Sequence, residues 1–383
     1  MENKSGRQSN IELLRIIAML MIICYHIIIH CVNIQISNAA SIERLQNGWF
    51  STPDFYSQLL MLALMMPLGL VGNAIFIMIS GYFLADREID MLKVSKKLIS
   101  QLFFAAVTLV LASSFFIWYS CKSQFLSENM ISYIKIQYFN KMSWFVGYYF
   151  IIILIAFMFL NKYLAKLTQK QYVGFLLAIF AVTELGWSGK LLDDLASGLR
   201  TVFIGVFLYA LAGYIKKYDP FKKVRGYVFL LLIVLANVII GLSYYNNVIG
   251  KIDTYYDTMA TQNLTELEFI QSIPRYENFS VMVVIIGICL FELARRITIP
   301  SIGLINRIAQ ATFMIYLIHD NGLAYSIWQT QDWPTLLYND TTGFLVKLLT
   351  WTLGVFIVGL VAYIVYTILK KLIVKSKWLF IKK

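Results

Sequence analysis

The chain has 383 residues, of which 59% are hydrophobic and 14% charged, against roughly 25% charged in a soluble globular domain. So much apolar surface cannot be hidden in one water-soluble core. The net charge of +12 invites a nucleic-acid reading, but no RNA- or DNA-binding signature accompanies it, and its placement along the chain has another cause.

A bilayer is crossed by about 20 apolar residues at 1.5 Å each. In chain order, the run after Arg15 stays uncharged until Glu43, and 55–85, 98–121, 142–161, 226–250 and 348–369 contain no Asp, Glu, Lys or Arg. Four further segments are short or carry a charge: 171–187 with Glu184, 195–215 with Arg200, 279–293 with Glu292 and 297–318 with Arg307. The expectation is an all-α, polytopic membrane protein of about ten transmembrane helices. With the N-terminus inside, the cytoplasmic segments hold 23 Lys and Arg and the outside loops nine, with Arg15 within the first helix. Every second connection is basic, as the positive-inside rule requires, so both termini are placed in the cytoplasm. The first run lacks a small-residue cleavage site and reads as an uncleaved helix.

No composition shift or repeat divides the chain, so 1–383 reads as one transmembrane domain with no appended soluble domain. Cys24, Cys31, Cys121 and Cys289 show no metal-ligand spacing, and no metal is expected. The outer loops are longer than the inner ones, roughly 31–58, 119–141, 187–197, 244–278 and 319–346. Asn263, Asn278 and Asn339 begin N-x-S/T sequons there, which in so short a pattern read as chance. Trp49, Trp144, Trp187, Trp328 and Trp333 fall near the outer boundary and read as interfacial anchors.

Two of three histidines, His26 and His30, lie in the first apolar run. Arg15 and His26, eleven residues apart, share one helix face about 16 Å apart along the axis, and His30 follows one turn later. An ionisable group inside the membrane is costly and marks a functional candidate, although Arg15 can instead snorkel to lipid phosphates. His26 can equally be a hydrogen-bonded interhelical residue, and His30 an interfacial one.

Ser9-Asn10-Ile11-Glu12-Leu13-Leu14-Arg15, ten residues and then His26 resembles the first helix of acyltransferase family 3 membrane proteins. Ile79-Ser80-Gly81-Tyr82-Phe83-Leu84 with the basic run Lys93, Lys96 and Lys97, Trp144-Phe145-Val146-Gly147-Tyr148-Tyr149, Asn161-Lys162, Arg200 through Gly213-Tyr214, and Tyr316-Leu317-Ile318-His319-Asp320-Asn321 resemble later family segments in order. Many relatives carry Arg-x-x-Arg where this chain has Lys93 and Lys96, and lysine attracts phosphate without gripping it bidentately.

The resemblance implies a membrane-bound O-acyltransferase that moves acyl, usually acetyl, from cytosolic acyl-CoA to a sugar hydroxyl of an envelope glycan. His26 is the expected catalytic group, as base or as nucleophile, since imidazole takes protons near neutral pH. Arg15, Lys93, Lys96 and Lys97 are expected to meet donor phosphates. His30, Ser80, Trp144, His319 and Asp320 are expected to bind acceptor or support the site, with helix packing the alternative for Ser80-Gly81 and turn capping that for Asp320. No tightly bound cofactor is expected beyond the acetyl-CoA or other acyl-CoA substrate. Expected partners are the glycan acceptor, membrane lipid and polysaccharide-assembly proteins, in a bacterial plasma membrane. The competing class is a transporter or flippase, which calls for inverted repeats and paired broken helices; the six prolines are scattered.

Overall fold

The structure is a computed structural model that describes residues 8–39, 53–120, 144–185, 197–247 and 280–381. Among them every regular element is helical, since backbone groups in lipid must find partners within their own segment. The first run forms α1 (Ser9–Ile27), a π-helical turn (Ile28–Val32) and α2 (Asn33–Ala39). The second is divided at Pro67, whose ring removes a donor and stops a helix, into α3 (Pro53–Met65) and α4 (Leu68–Leu84). Next come α5 (Met91–Ser120) and α6 (Trp144–Ile155), which passes through a second π turn (Ala156–Leu160) into α7 (Asn161–Lys166). A capping box of Thr168 and Gln171 opens α8 (Gln169–Glu184). The remainder is α9 (Ser197–Tyr218), α10 (Gly226–Asn247), α11 (Val281–Arg296), α12 (Gly303–Gln310), α13 (Thr312–His319), α14 (Gly322–Trp328), α15 (Trp333–Asn339) and α16 (Thr341–Ile381).

Seven segments among the described residues are long and apolar enough to cross a bilayer: the six uncharged runs and the Arg200 segment, Leu199–Tyr218. The other three charge-bearing segments differ. α8 and α11 have 16 residues each, about 24 Å against a hydrocarbon core of about 30 Å. The Arg307 segment is not one helix: 297–302 is non-helical, and α12 and α13 meet at Ala311.

α1 and α4 form the hub. α4 packs against α1, α9 and α11, and α1 also meets α12, α13 and α16. The approach is close: a Cβ on Gly72 would lie 2.7 Å from the Ala18 carbonyl oxygen, and one on Gly81 would overlap the Tyr209 backbone. Small residues permit such contact where lipid supplies no hydrophobic drive. Within an 18-residue apolar stretch of each span, 78% of residues are buried in Tyr56–Leu84 but only 17% in Gly226–Asn246, so α10 lies at the periphery. With α5 and α16 it presents apolar side chains such as Phe103, Leu231 and Leu349 outward.

Polar contacts tie both ends. At one end Ser9 Oγ donates to Asn306 Oδ1 at 3.0 Å and accepts from the Ile302 N–H at 2.8 Å. Nearby, the charge that weakens α11 as a span is neutralised within its own last turns: fully buried Glu292 meets Arg295 at 2.9 Å and Arg296 at 3.5 Å. At the other end Gln329 Nε2 donates to the His30 carbonyl at 3.0 Å, and Gln35 Oε1 accepts from the Trp333 N–H at 3.0 Å.

The segment 319–346, expected as an outer loop, is largely helical and packed. Trp328 and Trp333 are buried core residues instead of interfacial anchors. The Trp333 indole N–H donates to the Trp328 carbonyl at 2.9 Å, so it needs no water or headgroup partner. Cys121, Trp49, Trp187, Asn263 and Asn278 lie outside the described residues.

Candidate active site

α13 ends in His319-Asp320-Asn321, and Asn321 holds the turn. Its Nδ2 donates to the Ile318 carbonyl at 2.5 Å, and its Oδ1 accepts from the Ala324 N–H at 3.1 Å, capping α14. His319, fully buried, has Nδ1 at 2.7 Å from the Tyr316 carbonyl and 3.2 Å from that of Ile315. A carbonyl oxygen only accepts, so this nitrogen carries the proton. In the neutral ring Nε2 then holds a lone pair, and it lies 2.8 Å from His26 Nδ1. His26 therefore donates through Nδ1, and its own lone pair is left on Nε2. The α13 backbone thus sets the tautomer of a histidine on α1, 293 residues away in sequence. The two rings are nearly parallel, at 13°, with centroids 4.9 Å apart.

Asp320 completes the group. Its Oδ2 accepts from the Tyr316 hydroxyl at 3.0 Å, and its Oδ1 accepts from the Tyr325 hydroxyl. Oδ1 also lies 3.7 Å from His26 Nδ1, where a carboxylate stabilises an imidazolium. His30, within the first π turn, stacks on Tyr325 with centroids 4.2 Å apart and sits 5.5 Å from the His26 ring. π turns inside α-helices often mark functional positions. His26, His30 and Asp320 each offer a ligand atom, all within 4.8 Å of one another, and the donor types suit zinc. Both Asp320 oxygens and His26 Nδ1 are already engaged by tyrosine and histidine partners.

Tyr316 faces two ways. It donates to Asp320 and also lines a cavity of about 270 Å³ that runs to Arg15 and Lys97 through Ser80, Phe145, Tyr149 and Gln310. Arg15 is ion-paired with buried Glu12 at 2.7 Å, so it is anchored on its own helix while bordering this space. Of the three lysines expected at the donor, Lys97 alone lines the cavity; Lys93 and Lys96 are exposed at the start of α5. Ser80 Oγ donates to the Phe76 carbonyl at 3.0 Å and lies 3.4 Å from the Tyr149 hydroxyl, so it both packs and borders the cavity. Trp144, 41% exposed at the start of α6, packs on Phe145 and Tyr148 and is not part of the histidine cluster.

The structure thus joins His26, His30, His319 and Asp320 in one cluster, with Arg15, Lys97 and Ser80 on the adjoining cavity. Sequence reasoning gave no role to Glu12, Tyr316 or Tyr325. Glu12, an acid one turn before an intramembrane arginine, carried a usable signal; the tyrosines are two among 24.

A family model described as an acyltransferase domain matches residues 8–380, nearly the whole chain. No curated protein and no solved structure matches.

Proposed function

The chain belongs to acyltransferase family 3, and on that premise we propose that it transfers an acyl group, acetyl in the simplest case, from cytosolic acyl-CoA to a hydroxyl of a cell-envelope or extracellular polysaccharide or its lipid-linked precursor. The observation that carries this reading is the His26–His319 hydrogen bond, which leaves the base-competent nitrogen of His26 unprotonated.

The acceptor hydroxyl gives its proton to His26 Nε2 as its oxygen bonds to the thioester carbonyl carbon. The C–S bond then breaks, and the imidazolium returns the proton to the departing thiolate, giving ester and free thiol. Asp320, 3.7 Å from Nδ1, stabilises the charged ring between these events. The same lone pair serves if His26 carries the acyl group itself. The cavity bordered by Arg15 and Lys97 brings the thioester arm toward Tyr316 and the cluster, while His30 and Tyr325 lie on the acceptor side.

We place ten spans in a bacterial plasma membrane with both termini cytoplasmic: the seven long ones plus α8, α11 and the α12–α13 pair. The alternation of basic connections supports this, as do contacts joining Ser9 to Asn306 at one end and His26 to His319 at the other. A C-terminal tag should resist protease added to intact cells; cleavage from outside would overturn the arrangement. The activity is tested by mass spectrometry of the envelope glycan with and without the gene. Loss of an O-acyl mass increment in its absence is expected, and an unchanged glycan would contradict the assignment.

A further inference from the structure

A second concavity, of about 500 Å³, lies beyond the C-terminal end of α4. Arg87, Lys162, Lys216 and Lys217 line it, with Asp86 and Glu88 on the same rim. Asp86 pairs with Lys216 at 2.8 Å. Arg87, Lys162 and Lys217 enter no ion pair among the described residues, which leaves a net positive rim.

This rim is built, not a chance gathering of surface lysines. Asn161, just after the second π turn, donates to the carbonyls of Leu84 at 2.8 Å and Arg87 at 3.0 Å. Its Oδ1 accepts from Tyr209 at 3.1 Å. Tyr172 donates to the Ala210 carbonyl at 2.8 Å, and Gly213 lets α9 approach Ala85. The segment so pinned is the partition between two spaces: Leu84 lines the Arg15 cavity and Ala85 lines this cleft. The Arg15 cavity, about 270 Å³, suits a narrow thioester arm and falls short of the volume of most whole-ligand sites.

We propose that this cleft takes the phosphate-bearing nucleotide end of the donor, with Lys162, Lys217 and Arg87 meeting the phosphates while the acyl arm enters the neighbouring cavity. The proposal rests on the acyl-CoA reading above. It moves the main phosphate contacts away from Lys93 and Lys96. An anionic lipid headgroup presents the same phosphate chemistry to this rim, so the test separates the two sources.

The full-length protein in nanodiscs is compared with its Lys162→Gln/Lys217→Gln variant using two donors: acetyl-CoA, and S-acetyl-N-acetylcysteamine, which lacks phosphates. KM for acetyl-CoA should rise roughly tenfold, as loss of one or two charge-assisted contacts implies. The kcat should hold within about twofold, and KM for the short thioester should not move. An unchanged acetyl-CoA KM, or an equal rise for both donors, overturns the proposal. So does an effect that appears only when the nanodiscs contain phosphatidylglycerol, which would make the cleft a headgroup site. Equilibrium binding of adenosine 3′,5′-bisphosphate is measured in parallel: binding by the wild type weakened in the variant supports the cleft, and no binding by the wild type overturns it. Nucleotide binding with no transfer from either donor would keep the cleft and remove the acyltransfer reading.

Discussion

The two ends of the Arg15–His26 face are built in different ways. Around His26 every polar atom with a described contact has a directional partner: carbonyls fix His319, His319 fixes His26, and two tyrosine hydroxyls fix Asp320. Around Arg15 and Lys97 the groups are long cations bordering the cavity, with Arg15 ion-paired to Glu12 on its own helix. Directional networks in a dry site lose function steeply when one member goes, because the remaining groups are left unpaired. Flexible point charges share their work, and their loss is graded and screened by salt. The first end is suited to chemistry and the second to capture, so kcat and KM should divide between them.

The largest effect at a supporting residue is expected at His319. His319→Leu removes the acceptor for His26 Nδ1 and should lower kcat roughly 10²–10⁴-fold, the range lost when a base is misprotonated or removed. Gln at this position can place an oxygen acceptor near the site of Nε2, so His319→Gln should recover at least about tenfold over Leu. Equal activity of the two variants would break the tautomer argument. Tyr325→Phe should be milder, with kcat down roughly 10–100-fold for one hydrogen bond to a carboxylate. It also leaves His30 an aromatic ring on which to stack. Lys97→Gln should raise donor KM by roughly three- to tenfold with kcat nearly constant. Raising salt from about 0.05 to about 0.5 M should act on KM in the same direction. The smallest effect is expected for Lys93→Gln with Lys96→Gln: both lie off the cavity, so KM should stay within about twofold. A larger change there would erase the distinction between cavity-lining and merely basic residues.

These contrasts also explain what could be read from the chain alone. Long uncharged runs announce themselves because bilayer thickness sets their length. α8, α11 and the α12–α13 pair are less plain because packing against protein permits short or charged segments, as Glu292 shows by neutralising itself against Arg295 and Arg296. The break at Ala311 has no proline or glycine to signal it. His26 stands out because an ionisable side chain in an apolar run is costly. His319 is marked only by the family resemblance of its segment, and its pairing with His26 is not legible, since the two lie 293 residues apart. Trp328 and Trp333 resemble boundary tryptophans until their packing is seen, because composition does not reveal whether an indole N–H meets a headgroup or a carbonyl.

On the proposed mechanism His26, held in one tautomer by His319, carries the acyl transfer while His30 lies to one side. The decisive comparison measures acyl transfer for His26→Ala and His30→Ala at matched protein levels, with acyl-CoA binding checked in each. His26→Ala should lose roughly 10²-fold or more with donor binding retained, and His30→Ala should lose less. An active His26→Ala beside an inactive His30→Ala would contradict this mechanism.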